Sequence, residues 1–160
     1  MPILIAVATV VLAAAFGQLP AQNSTAGERV SVTASTQPDS AGPGESVSLL
    51  VEITPKDDMR VFAPGARDFT AVSLSFTAPR GFSIGKPKYP VPERQTVPGT
   101  KRQTPVYDSR FQLEQPITIS KRAKPGDTVR IVGSVTYQVC DERTTFAKSS
   151  APVFWTVNVR

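Results

Sequence analysis

Histidine is absent from the 160 residues, and cysteine occurs once, as Cys140. The first absence removes the usual general base, the commonest metal ligand and the side chain that titrates near neutrality. Histidine-based triads and histidine zinc sites are therefore excluded. A single thiol cannot close an internal disulfide, whereas exported chains that lack a core are normally dense in cysteine. Aromatic residues make up only 8% of the chain and do not alternate with the basic residues, so the stacking platform of a single-strand nucleic-acid binder is missing. Also missing are a glycine-rich phosphate cradle, a serine nucleophile elbow and a run of oxygen ligands at calcium spacing. Neither a metal, a cofactor nor a small-molecule substrate is expected, and nucleic acid is not an expected partner.

The chain opens on an almost wholly apolar run, Met1 to Phe16, followed by the small and turn-prone Gly17 to Gln22. That is the outline of a signal peptide, residues 1–21 with cleavage near Ala21. The run is shorter than the roughly 20 residues of a spanning helix. The expected location is the periplasm or the exterior, or the membrane surface if the segment is retained. Residues 22–43 then form a leader-proximal segment with a first strand, and 44–160 the main domain. A chain of this length buries about two thirds of its unfolded surface, enough for a core without disulfides. Its net charge of +5 suits anionic surfaces or acidic protein partners.

After the leader, apolar residues recur at a period of two rather than at helical spacing. Val30, Val32 and Ala34 alternate with polar neighbours, as do Val47, Leu49, Val51 and Ile53, then Val72, Leu74 and Phe76. Phe111 and Leu113 mark another strand, with Ile117 and Ile119 following a proline break. The strongest patterns are Val129, Ile131, Gly133, Val135, Tyr137 and Val139, and Val153, Trp155, Val157 and Val159. Pro43-Gly44, Pro64-Gly65, Pro79-Arg80-Gly81 and Pro125-Gly126 punctuate these runs, since proline fixes φ and glycine admits positive φ. The fold expected is all-β, an immunoglobulin-like β-sandwich of about seven to nine antiparallel strands. Residues 86–105 hold five prolines, read as a long loop with little paired backbone. Lys86, Lys88, Arg94, Lys101 and Arg102 stand there against Glu93 alone, making it either a solvated connection or a basic contact surface.

Cys140 lies where the late strand runs into the polar turn Asp141-Glu142-Arg143-Thr144. It follows Val139, so it faces away from the apolar stripe unless a bulge intervenes, and the adjacent carboxylates raise a thiol pKa. The adjacent acids Asp57-Asp58 and Asp141-Glu142 point to opposite faces of a strand and make poor acid–base pairs. Trp155 is assigned to the core, and Phe146, just past the turn, is a docking contact if exposed.

Several segments in order resemble the N-terminal domain family of the bacterial thiol:disulfide interchange protein DsbD. Gly44-Glu45-Ser46-Val47-Ser48-Leu49 is similar to its first core strand and Met59-Arg60-Val61-Phe62-Ala63-Pro64-Gly65 to a segment with an aromatic before Ala-Pro. Gly81-Phe82, Lys88-Tyr89-Pro90, Val106-Tyr107-Asp108 and the Tyr137-Gln138-Val139-Cys140 strand end follow in the family's order. The resemblance implies an immunoglobulin-like fold in the periplasm whose cysteine pair takes electrons from a membrane domain and passes them to soluble thiol–disulfide proteins. Thr145 stands where the second cysteine belongs, and residues 91–104 lack the aromatic of a cap loop that shields the thiols. The expected function is a non-catalytic interaction module of a periplasmic thiol–disulfide system, its partner a thioredoxin-like or membrane redox protein. The expected contact surface is Tyr137, Gln138, Asp141, Arg143 and Phe146. Two alternatives stand beside it: residual interchange through a mixed disulfide at Cys140, and a structural subunit or dimer crosslinked there.

Overall fold

A computed structural model describes residues 23–26 and 29–160, with side chains from Arg29 onward. The expected signal segment lies outside the described residues. Alternation of apolar and polar side chains sets the architecture, because one face of each strand must find a dry partner. The strands are β1 (Asn23–Ala26), β2 (Val30–Gln37), β3 (Ser40–Ala41), β4 (Ser46–Pro55), β5 (Arg60–Phe62), β6 (Ser73–Phe76), β7 (Ser83–Ile84), β8 (Glu93–Thr96), β9 (Gln103–Tyr107), β10 (Phe111–Thr118), β11 (Thr128–Tyr137), β12 (Val139–Cys140) and β13 (Ser149–Val159). No helix occurs among the described residues.

Three sheets result, ordered β1-β2-β4-β10-β7, β3-β13-β11-β6 and β12-β5-β9-β8. Every pairing is antiparallel except β3 with β13. The first two sheets sandwich the core: Val47, Leu49, Val51 and Ile53 of β4 and Leu113 and Ile117 of β10 meet Ile131, Val135, Val153, Trp155 and Val157. Trp155 is 1% exposed, and its indole N–H donates to the Leu50 carbonyl at 3.0 Å, tying one sheet to the other. A buried indole finds such a partner because an unpaired N–H would be costly. The all-β sandwich follows the expectation, and the strand total exceeds seven to nine through two- to four-residue pieces such as β3, β7 and β12.

Three local readings need correction. β10 does not break at Pro116 but runs through it, paired with Ser48 of β4. The Pro116 carbonyl accepts from Gly85 N–H at 2.8 Å, so its missing donor faces the β7 side and leaves the central ladder with β4 intact. Residues 86–105 are not a bare loop: β8 and β9 form a hairpin whose turn uses Gly99 at φ +84°. Pro105 lies within β9, its carbonyl accepting from Ala63 N–H at 3.0 Å. The long late strand, read as continuous to Val139, divides at Gln138. β11 ends in the second sheet, and β12 joins β5 in the third.

Candidate functional site

Gln138 is the pivot that moves the chain from one sheet to the other. Its side-chain carbonyl accepts from Thr70 N–H at 2.8 Å, and its side-chain amide donates to the Phe146 carbonyl at 2.9 Å. Its own backbone carbonyl accepts from Phe62 N–H at 3.1 Å. One residue thus clamps the segment after β5, the start of β12 and the chain beyond the turn.

Cys140 and Thr145 face each other as an antiparallel bridge pair. The flanking bonds are Asp141 N–H to the Thr144 carbonyl and Phe146 N–H to the Val139 carbonyl, each 3.0 Å. Those bonds bracket the pair instead of joining it, which makes it a non-hydrogen-bonded pair, the type in which Cα atoms approach to about 4.5 Å. The turn between them is held by Asp141, whose Oδ1 accepts from the N–H groups of Arg143 at 2.7 Å and Thr144 at 2.6 Å. Those two bonds, and then the Arg143 charge, hold the Asp141 carboxyl below its ordinary range.

The Cys140 thiol is fully buried, at 0% exposure, in a second apolar cluster with Phe62, Ala66, Val97 and Val106. It does face away from the main core, and a separate cover seals it. Phe69 packs against this cluster and stacks on Phe62, centroids 4.1 Å apart and planes 6° apart. The expectation of a thiol without aromatic shielding is therefore corrected: the shield comes from residues 62–69, and the β8–β9 hairpin contributes Val97 in place of an aromatic. Burial pushes the Cys140 thiol pKa up, the Arg60 guanidinium opposes that rise, and the Asp141 carboxylate adds to it. At neutral pH the group is a thiol, a poor nucleophile.

Of the five expected contact residues, only Arg143 is exposed. Tyr137 is 7% exposed and packs in the main core. Gln138 and Asp141 are half-buried and committed to the bonds above. Phe146 is half-buried too, with the Arg29 guanidinium 4.0 Å from its ring centroid. The structure brings all five to one end of the sandwich around the turn. Sequence reasoning named Arg60 and Phe62 only within the family-like segment and did not place them, or Phe69 and Val97, around the thiol. Asp68-Phe69-Thr70, an aromatic in a polar loop just after Pro64-Gly65, was the one signal for the cover. Among the described residues no group of three or more acidic or cysteine side chains converges as a metal site.

The comparisons with known proteins bear on this end of the fold. The family model described as thiol:disulfide interchange protein DsbD, N-terminal, matches residues 29–146. The N-terminal periplasmic domain of ScsB from Proteus mirabilis is similar in structure, with a TM-score of 0.52 at 16% identity over 79% of this chain and 47% of that one. The chain thus spans about half the length of that structure. The DsbD N-terminal domain of Neisseria meningitidis in the reduced form gives a TM-score of 0.46 at 15% identity, over 71% of this chain and 78% of that one. No curated protein sequence matches. The family match takes in the core strands β2, β4, β10 and β11 together with the Cys140–Thr145 turn, and the chain belongs to the DsbD N-terminal domain family.

Proposed function

We propose that the chain is an exported interaction module of a periplasmic thiol–disulfide system, docking a thioredoxin-like or membrane redox partner without turning over disulfides. The observation that carries this reading is the pairing of Cys140 with Thr145. Disulfide interchange needs a thiolate to attack the partner's disulfide and a second thiolate to resolve the mixed disulfide, releasing the partner reduced and leaving this chain oxidised. The chain has one sulfur nucleophile, Cys140, and opposite it a hydroxyl that cannot take the second step. Burial of that thiol and its raised pKa work against even the first step. Export is supported by the apolar leader and by the periplasmic location named for the ScsB domain. The contact surface is the Asp141–Phe146 turn, where Arg143 reaches solvent on a scaffold fixed by Asp141, Gln138, Phe146 and Tyr137.

The purified protein, mixed with a disulfide substrate and excess reductant, is expected to show no catalysed turnover. Many cycles of reduction per chain would overturn the non-catalytic reading. Docking is tested by calorimetry with a reduced thioredoxin-like periplasmic domain and the Arg143→Glu variant. Affinity unchanged by that charge reversal would rule out the turn as the contact.

A further inference from the structure

A groove of about 400 Å³ lies on the third sheet, apart from the 141–146 turn. Its walls include Arg67, Asp68 and Phe69 from the segment after β5, Arg94 from β8, and Arg102 and Gln103 where β9 begins. Three guanidinium groups therefore share one opening with a single carboxylate. All four charged side chains are exposed. Among the described residues Lys88–Glu114, Arg110–Glu52 and Arg160–Glu45 are ion pairs, and none of them takes in Arg67, Arg94 or Arg102. Like charges gathered this way repel one another, and an anion from outside offsets the repulsion. Arginine's rigid fork suits planar carboxylates, which it binds through two parallel hydrogen bonds.

The form of the ligand follows from the strand beside the groove. Among the described residues β8 is the outer strand of its sheet, paired only with β9. Its free edge offers backbone donors and acceptors to an incoming extended chain. Arg94 points to the face opposite Glu93, since neighbours on a strand alternate. Glu93 is in addition bonded to Gln95, which also donates to Asp108, so those acids are held away from the arginines. Phe69 supplies an apolar patch at the groove for the methylene stems of acidic side chains.

We propose that this groove binds a carboxylate-rich extended segment of another protein, read by Arg67, Arg94 and Arg102 and paired along the β8 edge. The surface shares no residue with the contact proposed at the 141–146 turn and goes beyond that reading.

The test is fluorescence anisotropy with a labelled peptide of alternating glutamate and valine, against a lysine–valine counterpart. Two triple variants are compared: Arg67→Ala, Arg94→Ala, Arg102→Ala in the groove, and Arg80→Ala, Lys121→Ala, Arg122→Ala in a basic cluster elsewhere. Both remove the same charge, and a thermal melt of each verifies folding. The groove variant is expected to lose affinity for the glutamate peptide by about tenfold or more, and the control by less than about twofold. Arg143→Ala should leave this binding unchanged, which keeps failure here separate from failure of the turn. Equal losses in both triple variants would reduce the effect to net charge and overturn the proposal. So would absence of binding to the wild type, or displacement by inorganic phosphate beyond that by chloride at equal ionic strength, which would mark a small-anion site.

Discussion

Replacing Thr145 by cysteine asks whether the geometry at Cys140 still fits a disulfide. The two residues oppose each other at a non-hydrogen-bonded position, bracketed by backbone bonds of 3.0 Å on either side. A Cα separation of about 4.5 Å there falls inside the range a disulfide spans, about 4.4–6.8 Å. Little is lost with the hydroxyl, whose contact with the Pro98 carbonyl is a long 3.5 Å. The crosslink would close a loop of six residues, Cys140 to position 145, and the chain-entropy relation gives such a loop about 2 kcal/mol of stabilisation. For a domain of this size that is a rise in melting temperature of about 8 °C over the reduced form. The variant should be refolded from denaturant in a glutathione redox buffer, so that the cover over Cys140 does not block the oxidant. Thiol counting and intact mass report closure, and melts with and without reductant report the energy. A bond that fails to form under those conditions, or forms without raising the melting temperature, refutes the claim that the site keeps disulfide geometry. If it does form, a thioredoxin-like protein should reduce the variant and leave the wild type without an internal disulfide to reduce.

Alkylation of Cys140 in the folded wild type at pH 7 is expected to be at least about 100-fold slower than that of an unfolded control, because the thiol is sealed and its pKa raised; rapid labelling under native conditions, followed by mass spectrometry, would refute the sealed site. Gly133→Ala should destabilise by about 1–3 kcal/mol in urea unfolding, since the new Cβ would stand 2.7 Å from the Ser75 carbonyl oxygen, 2.9 Å from Phe76 Cβ and 3.0 Å from Trp155 Cζ3; an unchanged midpoint would mean that β6 can shift freely. Burial, helped by the neighbouring Tyr89, pushes the Tyr107 hydroxyl pKa up to about 12, and that hydroxyl donates to the Pro90 carbonyl at 2.7 Å. The folded state therefore keeps this proton where the unfolded chain, near pH 10, gives it up. Its stabilising effect is intact below about pH 10 and is lost as pH climbs toward 12. Tyr107→Phe should flatten that slope in melts across the interval, and an unaltered slope would assign it to other groups.

The sandwich was legible because its core strands alternate. Val47 to Ile53 and Val153 to Val159 each place an apolar side chain inward at every second position, and burial follows that pattern except at Leu50, which is buried out of phase. What escaped was pairing within residues 86–105, where the prolines argued against strands. Proline forbids only one donor, and at Pro105 and Pro116 the chain turns that missing donor away from the ladder it needs. The division at Gln138 escaped for a different reason. Period two continues unbroken from Val135 through Tyr137 to Val139, and only the three bonds of Gln138 and its neighbours show that the strand changes sheets. Apart from the lone aromatic Phe69 in a polar loop, the cover over Cys140 was illegible, because Phe62, Phe69 and Val97 lie far from it in sequence and meet it only when β5, the segment after β5 and the β8–β9 hairpin converge.

That convergence explains how the site persists without a second sulfur. The turn is fixed by the Asp141 carboxylate, the approach of the two limbs by Gln138, and the lid by the Phe62–Phe69 stack and Val97; none of these interactions passes through position 145. A crosslink there would add about 2 kcal/mol to a fold whose main core is already closed by the Trp155 bridge between sheets. On the proposed non-catalytic reading, a threonine at 145 leaves the shape of the turn in place. Arg143, the proposed contact, is presented by bonds that do not involve Thr145. By the same reasoning, Asp141→Ala should damage docking more than Thr145→Ala does: the first frees two backbone N–H groups and lets the turn relax, while the second removes one long contact. Equal effects of the two on affinity for a reduced thioredoxin-like domain would mean that the turn's shape is not what the partner reads.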